Sequence, residues 1–336
     1  MQQLRVLGPD HLQLVDVTPS ECGPDDALVR VDVCGICGSD LGYLHIGGVG
    51  IPASEPFPLG HEFSGTIEQV GSRVRGFEPG TRVAVNPMTA PNAIGNGGSE
   101  GAFSPRVLVR DVVASSALHV LPPHLSSEHG ALVEPLAVAF HAVEQADPGP
   151  DARVVVLGAG PIGLGVVVAL RHRGVRDIVS VDRAALRLER AQKLGADETI
   201  DGSQDDVWAR LRERHGTAPM FGLPMLATDV FIDCAGAPAL LDQAIGNARS
   251  GATFVLVALY KEAANLSPVT IMAKELTIRG SMAYGDAFPS VMEFLSTPRP
   301  ELDAMISHRF PLAQYEAAFA TAADPDRAAK VLILPD

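Results

Sequence analysis

Cysteine is scarce. Cys22, Cys34, Cys37 and Cys234 are the four cysteines among 336 residues, too few for a disulfide framework, and they imply reduced thiols in a cytoplasmic setting. Positive charge is also short: 26 Lys and Arg face 40 Asp and Glu, a net charge of −14. Such a surface repels phosphate backbones and anionic lipid heads, so neither nucleic acid nor a membrane surface is an expected partner. The first twenty residues hold no continuous apolar stretch of the kind a secretory signal needs. The longest apolar run, VVVLGAGPIGLGVVVAL (154–170), has 17 residues, with four glycines and a proline among them. That is short for a membrane span and reads better as a buried strand, a tight turn and a buried helix. No internal repeat or low-complexity segment is visible.

The chain is too long for one ordinary core, and 46% hydrophobic residues can fill two. In LVRVDV (28–33), Val29, Val31 and Val33 alternate with Arg30 and Asp32, the period of a half-buried strand. Gly and Pro punctuate residues 47–60 and 76–101, as short strands and long loops require. At ADPGPDA (146–152) the rhythm changes. RVVVLG (153–158) reads as a buried strand, followed by a helix and a second strand, DIVSVD (177–182). RAALRLERAQKL (183–194) places Ala184, Leu188 and Ala191 on one helical face. DVFIDCAG (229–236), ATFVLVA (252–258) and ELTIRGS (275–281) supply later strands, and KVLIL (330–334) a final one. Strands alternating with helices predict an α/β protein with a parallel, doubly wound sheet. The expected division is 1–147 with 286–336 as a β-rich domain, and 148–285 as the doubly wound one.

GAGPIG (158–163) fits G-x-G-x-x-G directly after a strand and at the start of a helix. Gly158, Gly160 and Gly163 allow a tight turn and close approach of a pyrophosphate, with Pro161 and Ile162 in the first helical turn. Asp182 ends the next strand, 182 − 158 = 24 residues on. A carboxylate there accepts ribose hydroxyls and repels a 2′-phosphate, which favours NAD over NADP. Arg183 follows at once and complicates that choice, since an arginine there can hold a 2′-phosphate.

Three polar pieces of the first domain share one explanation. CGSD (37–40), GHEFSG (60–65) and VEPLAVAFHAV (133–143) offer Cys37, His61 with Glu62, and Glu134. A thiolate, an imidazole and a carboxylate suit a catalytic zinc with an open position. Zn²⁺ with one thiolate, a neutral imidazole and one carboxylate sums to zero, and a second carboxylate would make the site anionic. The expectation is that Glu62 and Glu134 share the role, one bound and the other displaced, water-bridged or alternating.

CGICGSD, GHEFSG, GFEPGTRVAV (76–85), EPLAV (134–138) and VVVLGAGPIG (154–163) occur in the order found in zinc-dependent medium-chain alcohol dehydrogenases. The chain resembles their polyol, sorbitol and butanediol dehydrogenase branch over nearly its whole length. The resemblance implies a GroES-like catalytic domain, a Rossmann coenzyme domain, and hydride transfer between a secondary alcohol, polyol or cyclitol and NAD. It implies Cys37 as the ligand with Cys34 as packing, Ser39 as acceptor of the alcohol proton on the same loop as Cys37, and a homodimer or homotetramer. Asp40 suits the orienting of His61, and Tyr43 is a pocket-lining candidate. A metal-free NADPH-dependent quinone or enoyl reductase of the same fold is the alternative, and the ligand set argues against it.

The chain also departs from the family. Residues 86–109 lack the four cysteines of a structural zinc lobe, so one zinc per chain is expected. Position 42 is Gly42, not the histidine of a proton relay, and the nearby His45 reads as a loop residue. GTAPMFGLPMLATD (216–229) is longer than the usual linker and either folds back or meets a neighbouring subunit. Arg187, on the helix after Asp182, is expected to stack over adenine or to lie on the surface.

Overall fold

Alternating valines build the first sheet. The computed structural model describes residues 1–335. In the strand Ala27–Gly35, Val29, Val31 and Val33 are buried while Arg30 is exposed. This strand lies inside a seven-stranded sheet, antiparallel both to Glu62–Val70 and to Lys330–Leu334. The register sets Gly35 opposite Glu62. Glycine is required there, because a Cβ would collide with the Glu62 carboxylate. Ile306–Pro311 flanks Lys330–Leu334 on one side, and Arg82–Val85 and Leu118–Val120 extend the sheet on the other. The end of the chain therefore packs beside its beginning.

The second sheet has six parallel strands, ordered Glu198–Asp201, Asp177–Asp182, Arg153–Leu157, Val230–Asp233, Thr253–Leu256 and Thr277–Gly280. In chain order this is 3-2-1-4-5-6, with its switch point between Arg153–Leu157 and Val230–Asp233. Val154 to Leu157 are fully buried, the continuous apolar run of a strand covered on both faces. The turn that follows depends on its glycines. Gly158 has φ +90°, and a Cβ on it would lie 2.8 Å from the Ala235 nitrogen. At Gly163 a Cβ would strike the Gly158 carbonyl, so only glycine lets the helix Pro161–His172 sit this close to the strand end.

Residues 216–229 fold back on themselves. Thr217–Met220 and Leu223–Leu226 form an antiparallel hairpin, and Phe221 at its tip is 88% exposed. Among the described residues no helix is long and apolar enough to cross a membrane.

The helix Val133–Ala146 and the segment 281–287 join the two sheets into one body, sharing a core with Val154, Leu164 and Phe288. Buried Tyr284 locks this junction. Its hydroxyl donates to Asn86 Oδ1 at 2.9 Å and accepts from the Met88 N–H at 3.2 Å. Tyr284→Phe removes both bonds while keeping the ring; Met88 N–H and Asn86 Oδ1 still pair with each other at 3.1 Å, so the expected loss is about 0.5–1.5 kcal/mol of unfolding free energy in urea titration. An unchanged midpoint would show that the junction does not depend on this hydroxyl.

Candidate active site

Cys37 does not lie on a loop with Ser39, as the sequence pattern suggested. It caps the helix Gly38–Ile46, whose first turn carries Ser39 and Asp40. The cap is reciprocal: the Asp40 side chain accepts the Cys37 N–H at 2.9 Å, and the Cys37 sulfur faces the third-residue N–H. The helix start therefore fixes the sulfur, the Ser39 hydroxyl and the Asp40 carboxylate relative to one another, with the positive end of the helix dipole beside the sulfur.

Asp40 is fully buried. Its Oδ1 accepts the Gly60 N–H at 3.4 Å and lies 3.6 Å from His61 Nδ1. The second of these is a charge contact and not a hydrogen bond, and the other ring nitrogen, Nε2, stands 3.4 Å from Ser39 Oγ. Burial pulls the His61 pKa down, but Asp40, then Cys37 and Glu134, more than reverse it and hold it well above the usual range.

Glu62 is fully buried and does not stand alone. Both of its oxygens accept from Lys330 Nζ, at 2.5 and 2.8 Å, and the same ammonium donates to the Ile36 carbonyl at 3.0 Å. Burial lowers the Lys330 pKa, but Glu62 and then Cys37 outweigh it and hold the ammonium above its usual range. Ligand atoms of Cys37, His61 and Glu62 all lie within 4.8 Å of one another. This thiol, imidazole and carboxylate set fits a zinc ion. Glu134 is buried in the first turn of Val133–Ala146 but does not join that mutual cluster. Burial pushes its carboxyl up to about 7, with His61 opposing the rise.

Lys330 changes the charge argument made from sequence. Its ammonium offsets one carboxylate, a charge the sequence argument did not count. The sequence reading missed Lys330. Its one signal was a lysine at the head of the apolar run KVLIL.

Tyr43 is half-buried, and its hydroxyl donates to Asn96 Oδ1 at 3.2 Å. The cysteine-free stretch 86–109 thus reaches the site, and it does so by backbone contact as well: a Cβ on Gly95 would collide with the Gly60 carbonyl, next to His61. Cys34 is buried in the strand Ala27–Gly35, where burial raises its thiol pKa. His45 is exposed, 3.3 Å from Asp10.

At the glycine turn, Asp182 Oδ2 accepts the Ala159 N–H at 2.6 Å. Its Oδ1 accepts those of Arg183 and Ala184 at 2.7 and 2.9 Å. The carboxylate is held rigid at the strand end with lone pairs to spare. Arg187 is partly buried and tied to the far loop. Its Nε donates to the Ala328 carbonyl at 2.9 Å, and its guanidinium stands beside Gly160.

Residues 23–117 match the family model described as alcohol dehydrogenase GroES-like domain, and residues 161–297 the one described as zinc-binding dehydrogenase. The chain is 33% identical to (R,R)-butanediol dehydrogenase of Bacillus subtilis, covering 100% of both chains. It is 32% identical to human sorbitol dehydrogenase, covering 95% of this chain and 91% of that one. The crystal structure of 2R,3R-butanediol dehydrogenase from Bacillus subtilis superposes with a TM-score of 0.88 at 31% identity, over 100% of this chain and 99% of that one. Two further structures cover 99% of this chain and 99% of their own: an alcohol dehydrogenase from Escherichia coli CFT073 complexed with NADH (TM-score 0.84, 27% identical) and a zinc-binding dehydrogenase from Sinorhizobium meliloti 1021 bound to NADP (TM-score 0.85, 30% identical).

Two outcomes follow from the geometry. Lys330→Met leaves Glu62 buried and uncompensated, and the expected loss is about 3–5 kcal/mol of unfolding free energy. Adding Glu62→Gln should recover part of it, so strictly additive losses in the double variant would show that the two groups are not coupled. The second outcome concerns pH. Because the His61 proton is held well above its usual range, metal binding must expel it. Zinc affinity, read by competition with a chromophoric chelator, should weaken as pH falls from 8 to 6, and a flat profile would contradict the assignment of His61.

Proposed function

The chain belongs to the zinc-dependent medium-chain alcohol dehydrogenase family, in its polyol-like branch, and we propose that Cys37, His61 and Glu62 hold one catalytic zinc ion where a secondary alcohol, polyol or cyclitol is oxidised with NAD. The observation that carries this reading is the convergence of the three ligand atoms next to a serine hydroxyl. Zinc, when bound, supplies a Lewis acid that lowers the pKa of an alcohol, and the nicotinamide supplies the hydride acceptor.

The protein's own groups have separate tasks in this reading. Ser39 Oγ, beside His61 Nε2, takes the alcohol proton. Asp40 keeps the imidazole turned toward the ligand cluster. Lys330 holds Glu62 in place and neutralises it, while Glu134 waits at the edge as a second carboxylate. With Gly42 behind Ser39 and His45 beside Asp10, the proton leaves through water or the cofactor ribose. Gly158, Gly160, Pro161, Ile162 and Gly163 cradle the pyrophosphate, and Asp182 receives the adenosine ribose. Asp182 favours NAD over NADP. Arg187 steadies the turn from the side. The exposed edge strand Thr277–Gly280 supports a homodimer or homotetramer, and the four free cysteines support a cytoplasmic setting. A metal-free quinone or enoyl reductase is not favoured, since it has no use for the buried cluster.

The deciding experiment combines metal analysis with a panel of secondary alcohols, polyols and cyclitols, following reduced-cofactor absorbance. One zinc per chain and loss of turnover on chelation are expected; two tightly held zinc ions, or activity that survives zinc removal, would overturn the reading. Ser39→Ala should keep the zinc and lower kcat by about 10²- to 10⁴-fold. His45→Ala should change turnover less than about twofold, and a loss of two orders of magnitude in a folded variant would restore His45 to the proton path.

A further inference from the structure

The fold alone does not set the choice between NAD and NADP: one structure similar to this chain is complexed with NADH and another is bound to NADP. Within this chain, a cavity of about 360 Å³ opens at the strand end that carries Asp182. It is lined by Asp182, Arg183, Ala184 and Ser203 from the doubly wound body, and by Pro325 and Asp326. Those last two come from the loop between the helix Tyr315–Ala322 and the strand Lys330–Leu334, which belongs to the other sheet. The adenosine end of the cleft therefore has walls from both bodies. Arg187 fixes the second wall by donating to Ala328, two residues past Asp326.

Arg183 is the only cation among the six lining residues. The Ser203 hydroxyl is committed to Asp201, to which it donates at 2.6 Å. A 2′-phosphate in this cavity has one attractive partner, Arg183, and meets carboxylates on two sides. Asp182 stands on the strand-end wall and is held by three backbone N–H groups. Asp326 stands on the opposing loop, where its negative charge lines the same cavity as Arg183 and also acts on Arg187. Resting on the reading that the glycine turn binds a dinucleotide, we propose that Asp326 is a second specificity-determining residue, which denies Arg183 to a 2′-phosphate and makes cofactor choice a joint property of both domains. Asp182 gives ribose hydroxyls an acceptor, and Asp326 removes the advantage Arg183 would lend to NADP. The two carboxylates are far apart in sequence, so a reading of the strand end alone assigns Arg183 the wrong weight.

The test is a titration of the full-length, zinc-loaded protein with NADH and with NADPH, read by nucleotide fluorescence. In Asp326→Asn the ratio of the NADPH to the NADH dissociation constant should fall about threefold to tenfold at low salt, the range of an exposed charge pair, and the change should shrink in high salt. Asp326→Glu should keep the wild-type ratio, which a purely structural role of the loop would not predict. Adding Arg183→Ala to Asp326→Asn should cancel the gain for NADPH. An unchanged ratio in Asp326→Asn, with NADH still bound, overturns the inference and leaves the dinucleotide reading standing. Failure of the wild-type protein to bind either nucleotide overturns both.

Discussion

A lysine ammonium buried against a carboxylate ties the catalytic end of this protein together. Lys330 and Glu62 are 268 residues apart in sequence and meet at 2.5 Å with almost no solvent. Removing two such charges from water is expensive, and their attraction offsets the cost only with good geometry and further hydrogen bonds. Both conditions are met here. Both carboxylate oxygens are engaged, and the ammonium also reaches the Ile36 carbonyl, one residue before Cys37. The absence of a side chain at Gly35 makes the room. The pair thus sets where the first sheet ends, where the cysteine-bearing helix begins, and how much negative charge the ligand cluster can carry.

The same logic of compensated charge runs through the rest of the site. Asp40 is buried and sits between the Cys37 and Gly60 N–H groups and the His61 ring, so one carboxylate steadies two ligand positions. The loop that carries no cysteine is not a gap in the structure. It leans backbone to backbone on the turn before His61 and sends Asn96 to Tyr43, so close glycine packing holds it against the site.

What the sequence disclosed, and what it concealed, follow from the range of the interactions involved. The alternation in 28–33, the glycine turn at 158–163 and the periodic helix after Asp182 are local patterns, and the strands and helices lie where those patterns put them. Cys37, His61 and Glu62 were legible as chemistry because each stands in an apolar or glycine-flanked setting, and the fold brings them together. Lys330 was not, because its partner comes from a distant strand and no local rule couples them. The Arg187 bond to Ala328 was hidden for the same reason: its acceptor is a carbonyl on the far loop. The helix beginning at Gly38 was hidden by its two glycines, Gly38 and Gly42, which weaken any helical pattern. Residues 216–229 read as a segment that folds back or meets a neighbouring subunit, and Phe221 and Gly222, both at positive φ, turn them into a hairpin.

The position of the strand Lys330–Leu334 has a consequence for the order in which the molecule is made. It pairs with Ala27–Gly35, yet the ribosome delivers it after every other strand of both sheets. The doubly wound body, complete by Gly280, can fold while the first sheet still lacks a central member. Until residue 330 emerges, Glu62 has no counter-charge and the space beside Gly35 has no occupant. Cys37, His61 and Glu62 are thus all synthesised early but framed late, and a nascent chain stalled before its final strand presents them without the lysine that holds Glu62.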